Sequence, residues 1–125
     1  MPLIEVEVVA DDELSPTLAP RLAEAAGGAL DAPAGQTWVR LRRLGNASYA
    51  ESGGGPPPGV RPVFVQVLHA RLPDEAALGR QAAALTAAIA EVCGRPAEHV
   101  HVVFSPAGAG RVAFGGRLLR GDERR

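Results

Sequence analysis

Pro2-Leu3-Ile4-Glu5-Val6-Glu7-Val8-Val9 is the stretch from which the rest of the chain is read. Ile4, Val6 and Val8 alternate with Leu3, Glu5 and Glu7, the period of two expected of a strand with one buried face. A proline at the head of a strand has an ordinary explanation, because its missing N–H costs nothing at that position. The other reading is chemical. If Met1 is removed, the Pro2 nitrogen becomes a free secondary amine fixed at the tip of a rigid strand; with Met1 in place it is an inert amide.

Downstream, Asp11-Asp12-Glu13-Leu14-Ser15-Pro16 reads as a helix start, with Ser15 placed to cap and Pro16 to fit the first turn; Pro20 leaves the exact start open. Leu18, Leu22, Ala25, Ala26 and Leu30 recur at helical spacing. Gly27 and Gly28 weaken this helix without ending it, and Asp31-Ala32-Pro33-Ala34-Gly35 closes it. Thr37 to Leu44 is then a strand on which Trp38, Arg40 and Arg42 share a face.

Residues 45–61 hold Gly45-Asn46, Gly53-Gly54-Gly55 and Pro56-Pro57-Pro58, a linker or flap with little regular structure. The plan then repeats. Pro62 to His69 is a strand, Pro73-Asp74-Glu75 opens a long helix, and Leu78, Ala82, Leu85, Ile89 and Val92 mark that helix's buried face. Gly94-Arg95-Pro96 stops it, and His99 to Phe104 is a fourth strand. Arg111 to Arg117 reads as a short hairpin or arm, and residues 120–125 as a frayed charged tail.

The halves match. Pro62 answers Pro2, Gly94-Arg95-Pro96-Ala97 answers Asp31-Ala32-Pro33-Ala34, and Phe114-Gly115-Gly116 answers Ser52-Gly53-Gly54. One α+β domain over residues 1–125 follows, with repeat one at 2–55 and repeat two at 62–119. Two tandem β-α-β units give a four-stranded sheet with both helices on one face. The other face, carrying arginine and aromatic residues, is expected to pack against other subunits.

Composition narrows the class. A net charge of −1 over 125 residues offers no general attraction to nucleic acid or to an anionic membrane. No apolar run approaches the length of a membrane span, no signal peptide is recognisable, and a single cysteine, Cys93, excludes an internal disulfide. A soluble, cytoplasmic protein is expected. His99 and His101 share a strand face, but no cysteine or carboxylate pattern completes a metal site. Cys93 is a small apolar filler, His69 a strand-end surface group, and Ser52-Gly53-Gly54-Gly55 lacks the strand-to-helix context of a phosphate loop.

Taken together, Pro2 on a short strand, Leu30-Asp31-Ala32-Pro33 leading to Val39-Arg40, Leu68-His69-Ala70-Arg71 before a helix, and Phe114-Gly115-Gly116 near the end resemble the tautomerase superfamily. The second half is similar to the short 4-oxalocrotonate tautomerase subunit, and the whole layout to the fused, two-repeat members. The resemblance implies a homotrimer around a barrel-like centre, with three cofactor-free sites each built on the amino-terminal proline and a small carboxylate as substrate. Arg71 matches the arginine after the strand and Arg40 the one on the strand after the helix. Tyr49 falls where the family has an apolar aromatic wall, and Trp38 would help keep that pocket dry. The second repeat has His101 where the first has Arg40, and the first has Asp11 or Asp12 where the second has Arg71.

Without the family, Arg40, Arg42 and Arg43 also suit an ordinary solvated or interface strand. The chemistry itself is general: an α-amino group titrates near ~8, and burial or a nearby guanidinium lowers that value, so the neutral amine can act as a base. Against the fused superfamily dehalogenase, Val103, Ala113 and Gly27 or Gly28 replace polar site residues. Against the decarboxylase, Gln36 and Thr37 stand where an aspartate is expected. The reading that results is keto-enol tautomerisation of an unsaturated 2-oxo or 2-hydroxy acid. The alternatives are a hydratase, dehalogenase or decarboxylase of the same superfamily, and a catalytically silent trimer that binds a small acid.

Overall fold

A computed structural model describes residues 2–120; Met1, whose removal the chemical reading requires, and residues 121–125 of the expected frayed tail lie outside the described residues. The elements are β1 (Pro2–Val9), α1 (Leu18–Ala29), β2 (Trp38–Leu44), β3 (Val63–His69), α2 (Glu75–Cys93), β4 (Val100–Phe104), β5 (Ala113–Phe114) and β6 (Arg117–Leu118). The first four long strands form one sheet in the order β2-β1-β3-β4. β1 and β3 are antiparallel at its centre, and each carries its own parallel partner outside. This is the expected pair of β-α-β units.

The period of two decides the faces. Ile4, Val6, Val8, Val63, Val65 and Val67 lie at 0–2% exposure beneath the helices, where Leu22 and Ala26 of α1 and Leu85, Ile89 and Ala90 of α2 cover them. Each such valine, leucine or isoleucine side chain contributes about 1.5–3 kcal/mol by leaving water, which is what holds the two helices on that face. The opposite face carries Leu3, Glu5, Glu7, Trp38, Arg40, Arg42, Phe64, Gln66, His101 and Val103, as the register requires.

The helix ends differ from each other for local reasons. Asp74 caps α2 through its side chain, accepting from Ala77 N at 2.8 Å, with Glu75 in the first turn. Gly94 ends α2 at φ +65°, the left-handed turn that glycine adopts without a Cβ clash. Ser15 does not cap α1: it accepts from Thr17 N ahead of the helix, which begins at Leu18 with Pro20 in its first turn. Proline there loses no hydrogen bond, since the first-turn N–H groups have no helical acceptor.

One expected correspondence is corrected. In β1 the even-numbered residues face the helices, whereas in β3 the odd-numbered ones do. Pro62 is therefore one residue out of phase with Pro2, and in a strand one residue reverses the face.

Residues 45–61 have more structure than their glycines suggest. Asn46–Ser48 form a 3-10 turn, and Glu51 pairs with Gly55. The Asp11 carboxylate accepts from Asn46 N at 2.9 Å and Nδ2 at 2.7 Å, and Arg43 donates to the carbonyls of Ala10 and Asp11. The segment is thereby held at the carboxyl-terminal end of β1, away from Pro2 of its own chain. Replacing Ile89 by Ala, at the α2–sheet contact, is expected to lower unfolding stability by about 2–5 kcal/mol, read from the urea midpoint at constant m-value.

Candidate active site

Pro2 is buried at the start of β1, and the strands on either side decide what surrounds it. On the β3 side it stands directly opposite His69. Val9 N donates to Pro62 O, so the odd-numbered residues of β1 make the β3 hydrogen bonds and Pro2–His69 is a non-hydrogen-bonded pair. Opposed Cα atoms in such a pair come within about 4.5 Å, and the two side chains, on the same face, are in each other's reach.

His69 is fixed in place. Its Nε2 bonds Gln81 Oε1 of α2 at 2.7 Å, its ring stacks on Phe104 at 5.9 Å and 14°, and its carbonyl accepts from Gly108 N. Burial pushes the imidazole pKa below its usual value, against the opposing pull of the Gln81 bond, so the ring is neutral at pH 7. The surface role expected from the sequence is corrected: antiparallel pairing carries this residue inward, onto the helix face beside Pro2.

On the β2 side, continuing the Leu3–Trp38 register by one residue sets Thr37 next to Pro2. Ala10 N donates to Leu44 O, and the alternation of that ladder aims the nitrogens of the even-numbered β1 residues, Pro2 included, at β2. Thr37 Oγ1 is buried and has no hydrogen-bond partner among the described residues. Gly27 of α1 lies against this hydroxyl, where an added Cβ would stand 3.4 Å from it.

The hairpin β5–β6 closes the same end. Gly115 and Gly116 turn at φ +58° and +85°, a two-residue connection that glycine makes without strain. The chain leaves β4, is tied to the end of β3 by Gly108 N and Ala109 N, and crosses to the far edge of the sheet, where Phe114 meets Trp38 edge-to-face at 5.5 Å. Trp38 remains 51% exposed, an aromatic surface left open to a ligand or to a neighbouring subunit.

Of the other residues expected at the site, Arg71 lies two residues beyond His69, exposed at the Pro2 end. Arg40 lies on the opposite sheet face, paired with Glu5 at 3.6 Å, while Arg42 bridges Glu5 and Glu7 at 3.7 Å each. Tyr49 is at the far end. Its ring packs on Phe64 and its hydroxyl donates to Glu51 at 2.6 Å, a bond that raises the phenol pKa. Phe64 is five residues from His69, about 17 Å along an extended strand. Within one chain, then, Pro2, Trp38 and Arg71 gather at one end, and Arg40 and Tyr49 do not join them. Thr37 and His69 went unnoticed as site residues in the sequence, and only the register brings them to Pro2.

The far end of the sheet holds an open polar cleft lined by Ala10, Asp11, Asp12, Asn46, Arg61 and Arg95. Arg95 is committed there to the carbonyls of Arg61 and Val9. Asp11 and Asp12 follow β1 as Arg71 follows β3, so the residues after the two inner strands differ in charge.

No family model matches the chain, and no curated protein matches it in sequence. Solved structures do. A native fused 4-OT is 24% identical, with 98% of this chain and 99% of that one covered at a TM-score of 0.74. A fused 4-OT that forms an asymmetric trimer is 20% identical, with 96% and 99% covered at 0.73. The malonate semialdehyde decarboxylase FG41, inhibited by 3-bromopropiolate, is 19% identical, with 90% of each chain covered at 0.66. The chain has the fold of these proteins, as the sequence resemblance implied.

The His69 environment has a consequence for stability. Unfolded, the imidazole takes up a proton near its ordinary pKa of ~6.5; folded, it does so only at lower pH. The unfolded state therefore binds more protons in that window, and stability declines as pH falls below about 6.5. The urea midpoint is expected to drop between pH 7 and pH 5.5, and His69→Gln is expected to flatten that drop.

Proposed function

We propose that this chain is a cofactor-independent keto-enol tautomerase acting on an unsaturated 2-oxo or 2-hydroxy carboxylic acid, with Pro2 as the base once Met1 is removed. The observation that carries the reading is the buried Pro2 at the head of a central strand, with a neutral imidazole directly opposite it on β3 and an exposed arginine two residues beyond that imidazole. A neutral amine is a competent base at pH 7, and a dry, partly apolar setting disfavours its charged form. Pro2 would take a proton from the enol hydroxyl and return one to the carbon at the other end of the conjugated system. The electron pair of the O–H bond becomes the carbonyl π bond, and the C=C pair accepts the returned proton, so the reaction needs no oxidant or co-reactant.

Arg71 would hold the substrate carboxylate through paired N–H donors, and Trp38 with Phe114 would form an apolar wall. Tyr49 lies at the far end of the sheet in its own chain and Arg40 is paired with Glu5 on the face away from the helices, so in this reading they come from a neighbouring subunit of a homotrimer. The fused 4-OT trimers support that assembly. Arg40 is held on its own sheet only by an exposed ion pair, an interaction typically worth about 0–1 kcal/mol, and it can change partner at small cost.

Intact mass of the purified chain, followed by ketonisation of 2-hydroxymuconate and phenylenolpyruvate on the same sample, tests this. Loss of one methionine with measurable turnover is expected. Pro2→Ala is expected to reduce kcat/KM by about 10²–10⁴-fold, and Arg71→Ala to act mainly through KM. Retained Met1, or full turnover by Pro2→Ala, would sink the mechanism and favour the silent acid-binding trimer or another superfamily reaction. A stable monomer in sedimentation would remove Arg40 and Tyr49 from the site.

A further inference from the structure

Thr37 is a buried group beside Pro2 whose hydrogen-bonding capacity is unspent: its Oγ1 has no partner among the described residues. A buried hydroxyl left unpaired costs about 1–3 kcal/mol, which makes such groups uncommon without a reason. Here the register supplies one. Thr37 immediately precedes β2 and lies beside Pro2 when the register is continued by one residue; the same ladder, in which Ala10 N reaches Leu44 O, sets the Pro2 nitrogen against the Gln36 carbonyl with Thr37 next to it. While Pro2 is part of a peptide bond, that nitrogen has neither an N–H nor a usable lone pair. Removal of Met1 gives it both.

We propose that Thr37 is a positioning residue whose hydroxyl is the hydrogen-bond partner of the free Pro2 amine, a role that rests on the reading of Pro2 as the base. The hydroxyl donates to the lone pair of the neutral amine and turns to accept an N–H of the protonated one. The second bond is charge-assisted and the stronger of the two, so Thr37 holds the amine pKa above the value that burial alone would leave. Pro2 is thereby kept able to return a proton as well as take one.

The charged and titratable groups near this amine, among the described residues, are few. His69 faces it from β3, Arg71 follows at the strand end, and Arg111 and Arg117 belong to the hairpin, with Arg111 bonded to the carbonyls of Pro106 and Ala107. Burial moves the His69 titration to the acid side.

The experiment is an NMR titration of the Pro2 nitrogen in the ¹⁵N-proline-labelled chain that begins at Pro2, comparing the native protein with Thr37→Val and Thr37→Ser. Thr37→Val keeps the shape and loses the hydroxyl; it is expected to lower the Pro2 pKa by about 0.5–1 and to move the acid limb of kcat/KM to lower pH by the same amount. Thr37→Ser is expected to titrate as the native protein does. Should Thr37→Val not fold, Thr37→Ala carries the same comparison. A Pro2 titration unchanged by loss of the hydroxyl would overturn the assignment, as would a Ser variant that behaves like Val. The titration reads the amine and not turnover, so it stands apart from a failure of the tautomerase reading, which Pro2→Ala would expose.

Discussion

The antiparallel pairing of β1 with β3 is the contact on which the rest of the molecule depends. Seven residue pairs, from Pro2–His69 to Val8–Val63, lock the two repeats in one register. A slip of one residue would send Ile4, Val6 and Val8 to the solvent face and Leu3, Glu5 and Glu7 into the core, which no packing of α1 and α2 could offset. That alignment also puts the end of β3 against the beginning of β1. Pro2, an imidazole anchored by α2 and the arginine that follows β3 thus come to one end of the sheet through strand pairing, although Pro2 is far from the other two along the chain.

Much of this architecture is legible in the sequence, because alternation is a local signal. Residues 2–9 announce a half-buried strand, and the Asp74-Glu75 start and Gly94 stop of α2 are written in residues whose roles do not depend on distant contacts. What the sequence conceals is relational. His69 looks like a strand-end polar group until its opposite number is known, and Thr37 looks like an unremarkable strand threonine until its hydroxyl is found without a partner. Tyr49 illustrates the same limit. Its place is set by Asp11 gripping Asn46 across 35 positions of sequence, a non-local clasp that loop composition does not foretell.

The outer sheet face follows a different logic from the helix-covered one. Glu5 and Glu7 of the central strand sit between Arg40 and Arg42 on one side and Gln66 and Phe64 on the other. The acids neutralise two guanidinium groups that would otherwise repel each other, while spacings of 3.6–3.7 Å at exposed positions keep the bonds weak. Such a face stays soluble when alone and gives up little when its charges find other partners.

The order β2-β1-β3-β4 makes the two halves approximate copies of each other, yet the copies no longer agree. Arg71 follows one inner strand and an acidic pair follows the other; the first strand opens with Pro2 facing the helices, and its counterpart is entered by Pro62 one residue out of phase. In an assembly of two identical short chains, every substitution appears twice and must suit both ends at once. Joining the copies in one polypeptide lifts that obligation: a change that would ruin a site at one end can be kept at the other, where it need only preserve the sheet. The polar cleft lined by Asp11, Asn46 and Arg95 lies at the end where the second copy is free to differ from the first.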